Sequence, residues 1–162
     1  MAKDKKPRAR RPKPLLAAAV ICEKVLEDED GAMSAIRMRD TFTIFHPPGA
    51  FSHPDARIHI SLKALLAFKS GEVVGERTLR LVLRNPARKK KDILEKTLPF
   101  QGDEKGVNFT LNLELKVKAP GGLYWIDVLL DGIRLTSMPL KVYLQAVDPV
   151  GDQTKPLHKE SS

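Results

Sequence analysis

The most regular pattern in the chain is the alternation of apolar and polar residues between Val107 and Lys118. Every second residue from Val107 to Val117 is apolar, and the residues between them are polar or charged. Because successive side chains of a strand point to opposite faces, this two-residue period predicts a strand with one buried and one solvated face. A helix would scatter the same apolar residues around its whole circumference.

Other segments predict strands on similar grounds. Residues 15–26 are nearly all apolar, which is typical of a strand buried on both faces. An acidic turn that ends in glycine follows at 27–31 and predicts a hairpin to a partner strand at 32–45. Further strands are predicted at 57–68, 78–84, 123–130 and in the segment that returns to residue 144, with turns or loops at 46–55, 69–71, 85–91 and 119–122.

Asp131 and Gly132 lie between two strand-like segments and predict a two-residue hairpin, because both central residues of a type I′ turn need positive φ. About seven or eight strands and no helical stretch indicate an all-β protein. The strands differ in length and long loops interrupt them, which favours an antiparallel β-sandwich over a barrel. The expected fold class is therefore an immunoglobulin-like antiparallel β-sandwich.

The net charge of +8 is concentrated at the N-terminus. Residues 1–14 carry a charge of +6, whereas residues 15–162 carry only +2, so no large basic face is expected on the domain. Three prolines and few apolar residues at 1–14 predict a disordered basic arm, followed by a sandwich domain at 15–144 and a flexible tail at 145–162. The cations of the arm are Lys3, Lys5, Lys6, Arg8, Arg10, Arg11 and Lys13.

A basic start followed by an apolar run has the order of a signal peptide, but Glu23 and Lys24 stand where small residues should mark cleavage. No run approaches the ~18 apolar residues of a membrane span. The one cysteine, Cys22, lies in an apolar run and is expected to be a small buried residue. These features predict a cytoplasmic protein without a membrane span.

Two segments resemble a known family: residues 20–31 with their return strand, and residues 122–132, which read Gly-Leu-Tyr-Trp-Ile-Asp-Val-Leu-Leu-Asp-Gly. They are similar to a family of small uncharacterised bacterial proteins, a domain of unknown function with an immunoglobulin-like sandwich. The resemblance covers residues 14–144. It implies the fold and a bacterial, intracellular setting, and it implies no catalytic residues.

The candidate chemistry is sparse. His46, His53 and His59 lie near Asp55, but their spacing matches no metal-ligand pattern, so they are interpreted as solvated histidines. Phosphate-binding loops and a recognisable catalytic triad pattern are absent from the sequence. We therefore expect no enzyme activity, no cofactor, and no catalytic, cofactor-binding or metal site.

Two candidate binding features are left. Trp125 and Asp127 share the outer face of their strand, and they are either a contact point for a protein partner or, for Asp127, one half of an ordinary ion pair with a neighbouring strand. The arm residues either bind nucleic acid non-specifically or are simply solvated. An aromatic content of 6% argues against a base-stacking surface of the kind that single-strand binders use.

The leading hypothesis from the sequence is a non-enzymatic protein-interaction or accessory module with an unidentified protein partner. The alternative is a nucleic-acid-associated protein that is tethered by its basic N-terminal arm.

Overall fold

The structure, a computed structural model, describes residues 12–147. It contains seven strands and no helix in that range, which confirms the all-β class and the expected number of strands. The strands are β1 (Leu15–Glu27), β2 (Met33–Met38), β3 (Thr41–His46), β4 (Ile58–Arg84), β5 (Lys90–Val117), β6 (Gly121–Leu130) and β7 (Ile133–Ala146).

The two longest strands, β4 and β5, pair antiparallel from Ile58 opposite Val117 to Arg84 opposite Lys90. The expected turn at 69–71 is wrong, because the chain bends there without reversing and the register shifts between Lys69 and Val74. At the bend, Gly71 has a φ of 54°. The buried Ser70 hydroxyl donates to the carbonyl of Lys105 at 2.8 Å, which links the two strands across the bend.

The bend gives the two halves of β4 different neighbours. The N-terminal half pairs with β1, which pairs with β2, and the C-terminal half pairs with β6, followed by β7 and β3. The order is β2-β1-β4-β6-β7-β3, with β5 alongside β4. The strands therefore form one sheet that is strongly curled.

The two ends of this sheet are joined by only two residues, Arg39 and Asp40. The Arg39 amide donates to the carbonyl of Ile21 in β1, and the Lys141 amide in β7 donates to the carbonyl of Asp40. A single strand at 32–45 was therefore a wrong expectation. Since β3 pairs with β7 in parallel, an entirely antiparallel sheet was also a wrong expectation.

The core is a cluster of apolar side chains contributed by both halves of the curled sheet. The alternation predicted for 107–118 is confirmed, and its apolar side chains are buried or half-buried. Residues 15–26 do form a strand, but only Ile21 and Cys22 in it are fully buried, so burial on both faces was wrong for most of β1. The largest fully buried side chains include Leu62, Leu66, Phe68, Leu79, Leu81, Leu115, Ile126 and Leu140.

The hairpin between β6 and β7 has the predicted geometry. Asp131 and Gly132 have φ values of 48° and 77°, and Leu130 pairs with Ile133 across the turn. The Asp131 carboxylate also accepts a hydrogen bond from the Thr78 amide at 2.9 Å. The turn is therefore attached to β4 as well as closed on itself.

Candidate functional site

The outer face of β6 carries Trp125 and Asp127, as the alternation predicts, while Tyr124, Ile126 and Val128 point into the core. Strand pairing fixes their neighbours. Trp125 lies opposite Arg84 on β4, and Asp127 lies opposite Ser137 on β7. This register brings an arginine and a hydroxyl next to the carboxylate.

Asp127 is only 5% exposed and its carboxylate is fully engaged. It accepts hydrogen bonds from Nε and Nη2 of Arg84 at 2.7 and 2.8 Å and from the Ser137 hydroxyl at 2.5 Å. Burial alone would raise the pKa of Asp127, but the hydrogen bonds from Arg84 and Ser137 outweigh it and hold the pKa below its usual value. Asp127 forms the ion pair with a neighbouring strand that the sequence suggested, which leaves little of its carboxylate for a partner.

The same ion pair positions Arg84 against the tryptophan. The Arg84 guanidinium carbon lies 5.5 Å from the centroid of the Trp125 ring, within the range of a cation–π interaction. The hydrogen bonds with Asp127 raise the pKa of Arg84. Asp127 thus holds the arginine, and the arginine lies over one side of a half-buried Trp125.

A groove of about 600 Å³ opens beside Trp125, and we call it the tryptophan groove. Its walls combine apolar groups with three cationic side chains. It is lined by Arg84, Asn85, Pro86, Arg88, Lys90, Leu123 and Trp125.

The turn between β4 and β5 forms one wall of this groove and is well defined by hydrogen bonds. The Asn85 amide donates to the carbonyl of Lys89, and the Arg88 amide donates to the carbonyl of Asn85. The Asn85 side chain also accepts from the Lys89 amide at 2.9 Å. The segment that the sequence predicted as a basic loop is therefore a turn closed by hydrogen bonds. Strand β5 begins directly after it, with Lys90 opposite Arg84.

A second groove, of about 570 Å³, adjoins the first and shares Asn85, Pro86 and Lys90 with it. Glu114 is the one carboxylate among the described residues that line either groove, and it already accepts a hydrogen bond from Ser61 at 2.7 Å. We call the cationic lining of both grooves the basic surface. It consists of Arg57, Arg84, Arg88, Lys89, Lys90, Lys91, Lys116 and Lys118.

The bend of the β4–β5 ladder creates this surface. Lys90 and Lys116 would be about 85 Å apart in a straight strand, yet they line the same groove because both ends of the ladder fold back toward each other. The charge of +2 over residues 15–162 gave no indication of this local group of cations. The available signals were the lysine run at 89–91 and the alternating Lys116 and Lys118.

The basic arm joins the domain at the opposite end. Its residues Lys3, Lys5, Lys6, Arg8, Arg10 and Arg11 lie outside the described residues, and Lys13 is exposed near Asp103 and Glu104. Leu15 pairs with Lys69 at the bend of β4, roughly 35 Å of strand away from Ile58 at the other end. The described junction of the arm with β1 is therefore distant along β4 from the basic surface.

Of the three candidate histidines, His46 and His53 have local contacts, and His59 is exposed on β4. His46 packs edge-on against Phe51, and Nδ1 of His53 accepts from the Asp55 amide at 3.2 Å. Within residues 12–147, no three His, Cys, Asp or Glu side chains lie close enough together to hold a metal ion. Cys22 is confirmed as a buried side chain, and its burial raises the pKa of its thiol. No helix in the described range is long and apolar enough to cross a membrane.

Comparisons with known proteins give only distant structural likenesses. No family model and no curated protein matches the chain. A β-glucosidase from Listeria innocua in complex with gluconolactone is similar to 79% of the chain at 13% identity and a TM-score of 0.46, and the match spans only 16% of the enzyme. An alkylpurine DNA glycosylase from Pseudomonas fluorescens bound to DNA is similar to 51% of the chain at 11% identity and a TM-score of 0.39, over 25% of its length. An immunoglobulin-like protein from Pseudomonas aeruginosa is similar to 83% of the chain at 12% identity and a TM-score of 0.35, over 99% of its length.

Proposed function

We propose that this chain is a non-enzymatic binding module that holds the phosphate backbone of a nucleic acid on its basic surface. The observation that carries the proposal is the gathering of eight cationic side chains around two adjoining grooves lined by a single carboxylate. Lysine and arginine bind phosphates by releasing the counterions that surround the nucleic acid, so such a surface binds without reading sequence.

Arg84 and Arg57 of this surface are paired with Asp127 and Asp55, but its lysines are available to a ligand. Within residues 12–147, the lysines at 89–91, Lys116 and Lys118 form no ion pair with a carboxylate. Each of these side chains is exposed. A nucleic acid that lies along the grooves therefore meets positive charge that the protein itself does not neutralise.

Fluorescence anisotropy of a labelled oligonucleotide with the full chain tests the proposal, measured over a series of salt concentrations. The triple variant Lys89→Gln, Lys90→Gln and Lys91→Gln should bind at least tenfold more weakly. If all three lysines contact phosphates, its plot of log affinity against log salt should be less steep by about 2 for a single strand.

Two further variants make the test specific. Lys24→Gln, Lys69→Gln and Lys105→Gln remove the same charge from exposed positions outside both grooves and should reduce affinity much less. Neutralising the seven cations of the arm in the full chain separates the tether hypothesis from the basic surface. Equal losses in the two lysine triples, or complete loss on neutralising the arm alone, would contradict the proposal.

A second candidate function, a protein-interaction module, is favoured by the edge strand β2. This strand ends the sheet, and Ile36 and Met38 on it are 37% and 65% exposed. An extended peptide can add to such an unpaired edge through main-chain hydrogen bonds. A nuclease-treated pull-down should then retain a partner with the wild-type chain and lose it with Ile36→Lys and Met38→Lys. Retention by both proteins would argue against this edge.

We also infer that the curled sheet is an immunoglobulin-like sandwich, with one layer on each side of the bend in β4. This inference is supported by the two sets of neighbours along β4 and by the single core between them. The family resemblance and the reducing environment suited to one buried cysteine support a bacterial, cytoplasmic protein.

A further inference from the structure

Resting on the proposed function, we propose that the tryptophan groove takes one unstacked base of a single-stranded nucleic acid. Trp125 is the stacking surface, and Arg88 and Lys90 bind the flanking phosphates. The protein would then prefer single-stranded to double-stranded nucleic acid and would hold one base in addition to the phosphates.

The composition of the groove supports a base rather than phosphate alone. Trp125, Leu123 and Pro86 supply an apolar wall. Leu123 is 37% exposed, so part of this apolar wall is open to a ligand. The groove volume of about 600 Å³ is within the range of pockets that hold small organic ligands. A flat aromatic base with a phosphate on each side matches an apolar wall edged by cations.

The ion pair between Asp127 and Arg84 gives the tryptophan a fixed neighbour on one side. Asp127 fixes both Nε and Nη2 of Arg84, and the guanidinium lies over the Trp125 ring. Arg84 therefore limits the freedom of the ring and adds a planar cation beside it. In this arrangement Asp127 and Arg84 are positioning residues, and Trp125 is the group that contacts the base.

The geometry predicts a preference for single strands. In a duplex, both faces of each base are covered by its neighbours, so a base has to leave the stack before it can contact Trp125. The lysines of the basic surface bind the phosphates of either form. The low aromatic content of the chain argues against a surface with several stacking rings, and this site needs only one such ring, Trp125.

Trp125 is the only tryptophan in the chain, so intrinsic fluorescence reports directly on this groove. The full chain is titrated with a thymine oligonucleotide, with an abasic oligonucleotide of the same length, and with a duplex. The single strand with bases should quench Trp125 strongly, whereas the abasic strand has the same phosphates and should bind about tenfold more weakly with little quenching.

Substitutions of Trp125 are followed by anisotropy of the labelled strands. Trp125→Leu should lose about tenfold in affinity for the thymine strand and almost nothing for the abasic strand, and Trp125→Phe should recover most of the loss. Circular dichroism of each variant shows that the sheet is intact. Since the ring is half-buried on an outer face, both variants are expected to fold.

The outcomes separate the two proposals. Equal affinity for thymine and abasic strands, with no effect of Trp125→Leu, overturns the base site and leaves phosphate binding by the basic surface in place. If neither strand binds the wild-type chain, both proposals are overturned. Stronger quenching by the duplex than by the single strand also overturns the base site.

Discussion

Replacing Asp127 by asparagine tests the central ion pair of the outer face. The side chain keeps its size and one acceptor oxygen but loses the charge that binds Arg84 and Ser137. Hydrogen bonds to a charged group contribute about 1.5–3 kcal/mol net when the group is shielded, and Asp127 is only 5% exposed. At roughly 3 °C per kcal/mol for a domain of this size, the unfolding midpoint should fall by about 5–9 °C at pH 7.

The stability difference between wild type and Asp127→Asn should depend on pH. The folded pKa of Asp127 is lowered, so the ionised carboxylate stabilises the wild-type fold above the ordinary titration range of aspartate. That stabilisation is lost as the pH falls through the lowered folded pKa, whereas asparagine does not titrate. The difference between the two proteins should therefore be full at pH 7 and shrink as the solution is acidified.

Thermal unfolding followed by circular dichroism, repeated from pH 7 downwards, measures both effects. Asp92→Asn is the matched control, because Asp92 pairs with Arg80 at 2.6 Å on the same sheet but its side chain is 57% exposed. An exposed pair contributes little, so this variant should be close to wild type. Equal midpoints for wild type and Asp127→Asn at pH 7, or a difference between them that stays constant on acidification, would contradict a stabilising role for the ionised carboxylate.

Two further predictions concern the fold. Gly121 has a φ of 85°, and a Cβ there would meet the backbone carbonyl of Val142, so Gly121→Ala should cost at least about 2 kcal/mol in urea unfolding. Gly132→Ala, also at positive φ but in open space, should cost only about 1 kcal/mol, and the reverse order would contradict the steric argument. Leu66→Ala and Leu81→Ala remove fully buried side chains on opposite sides of the bend in β4, and each should cost about 2–5 kcal/mol while unfolding stays a single transition. Two separate transitions in either variant would show that the halves of the sheet are independent units.

Local patterns predicted most strands but misjudged where one strand ends. The segment around Ser70 and Gly71 has the composition of a turn, and the chain does change direction there. However, β5 pairs with β4 on both sides of the bend, so the hydrogen-bonded ladder continues through it. Residues 90–106 belong to β5 and were not predicted as strand. This segment contains several charges, Pro99 and Gly102, and long-range pairing with β4 overrides their low strand propensity.

The candidate site was predictable in its parts and not in its arrangement. The period of β6 correctly placed Trp125 and Asp127 on one outer face, and an ion pair with a neighbouring strand was one of the two interpretations of Asp127. The identity of Arg84 as the partner depends on the register between β4 and β6, which joins residues 43 positions apart. No local pattern contains that register.

Local sequence patterns were enough to predict the all-β class, the type I′ hairpin at Asp131 and Gly132, and the burial of Cys22. These features depend on side-chain period, on the φ of two turn residues and on local hydrophobicity, which neighbouring residues set. The parallel pairing of β3 with β7, the curl of the sheet and the basic surface depend instead on long-range pairing. Those features arise because the bend in β4 and β5 brings together residues that are far apart in sequence, and charge counted along a chain says nothing about which side chains will share a surface.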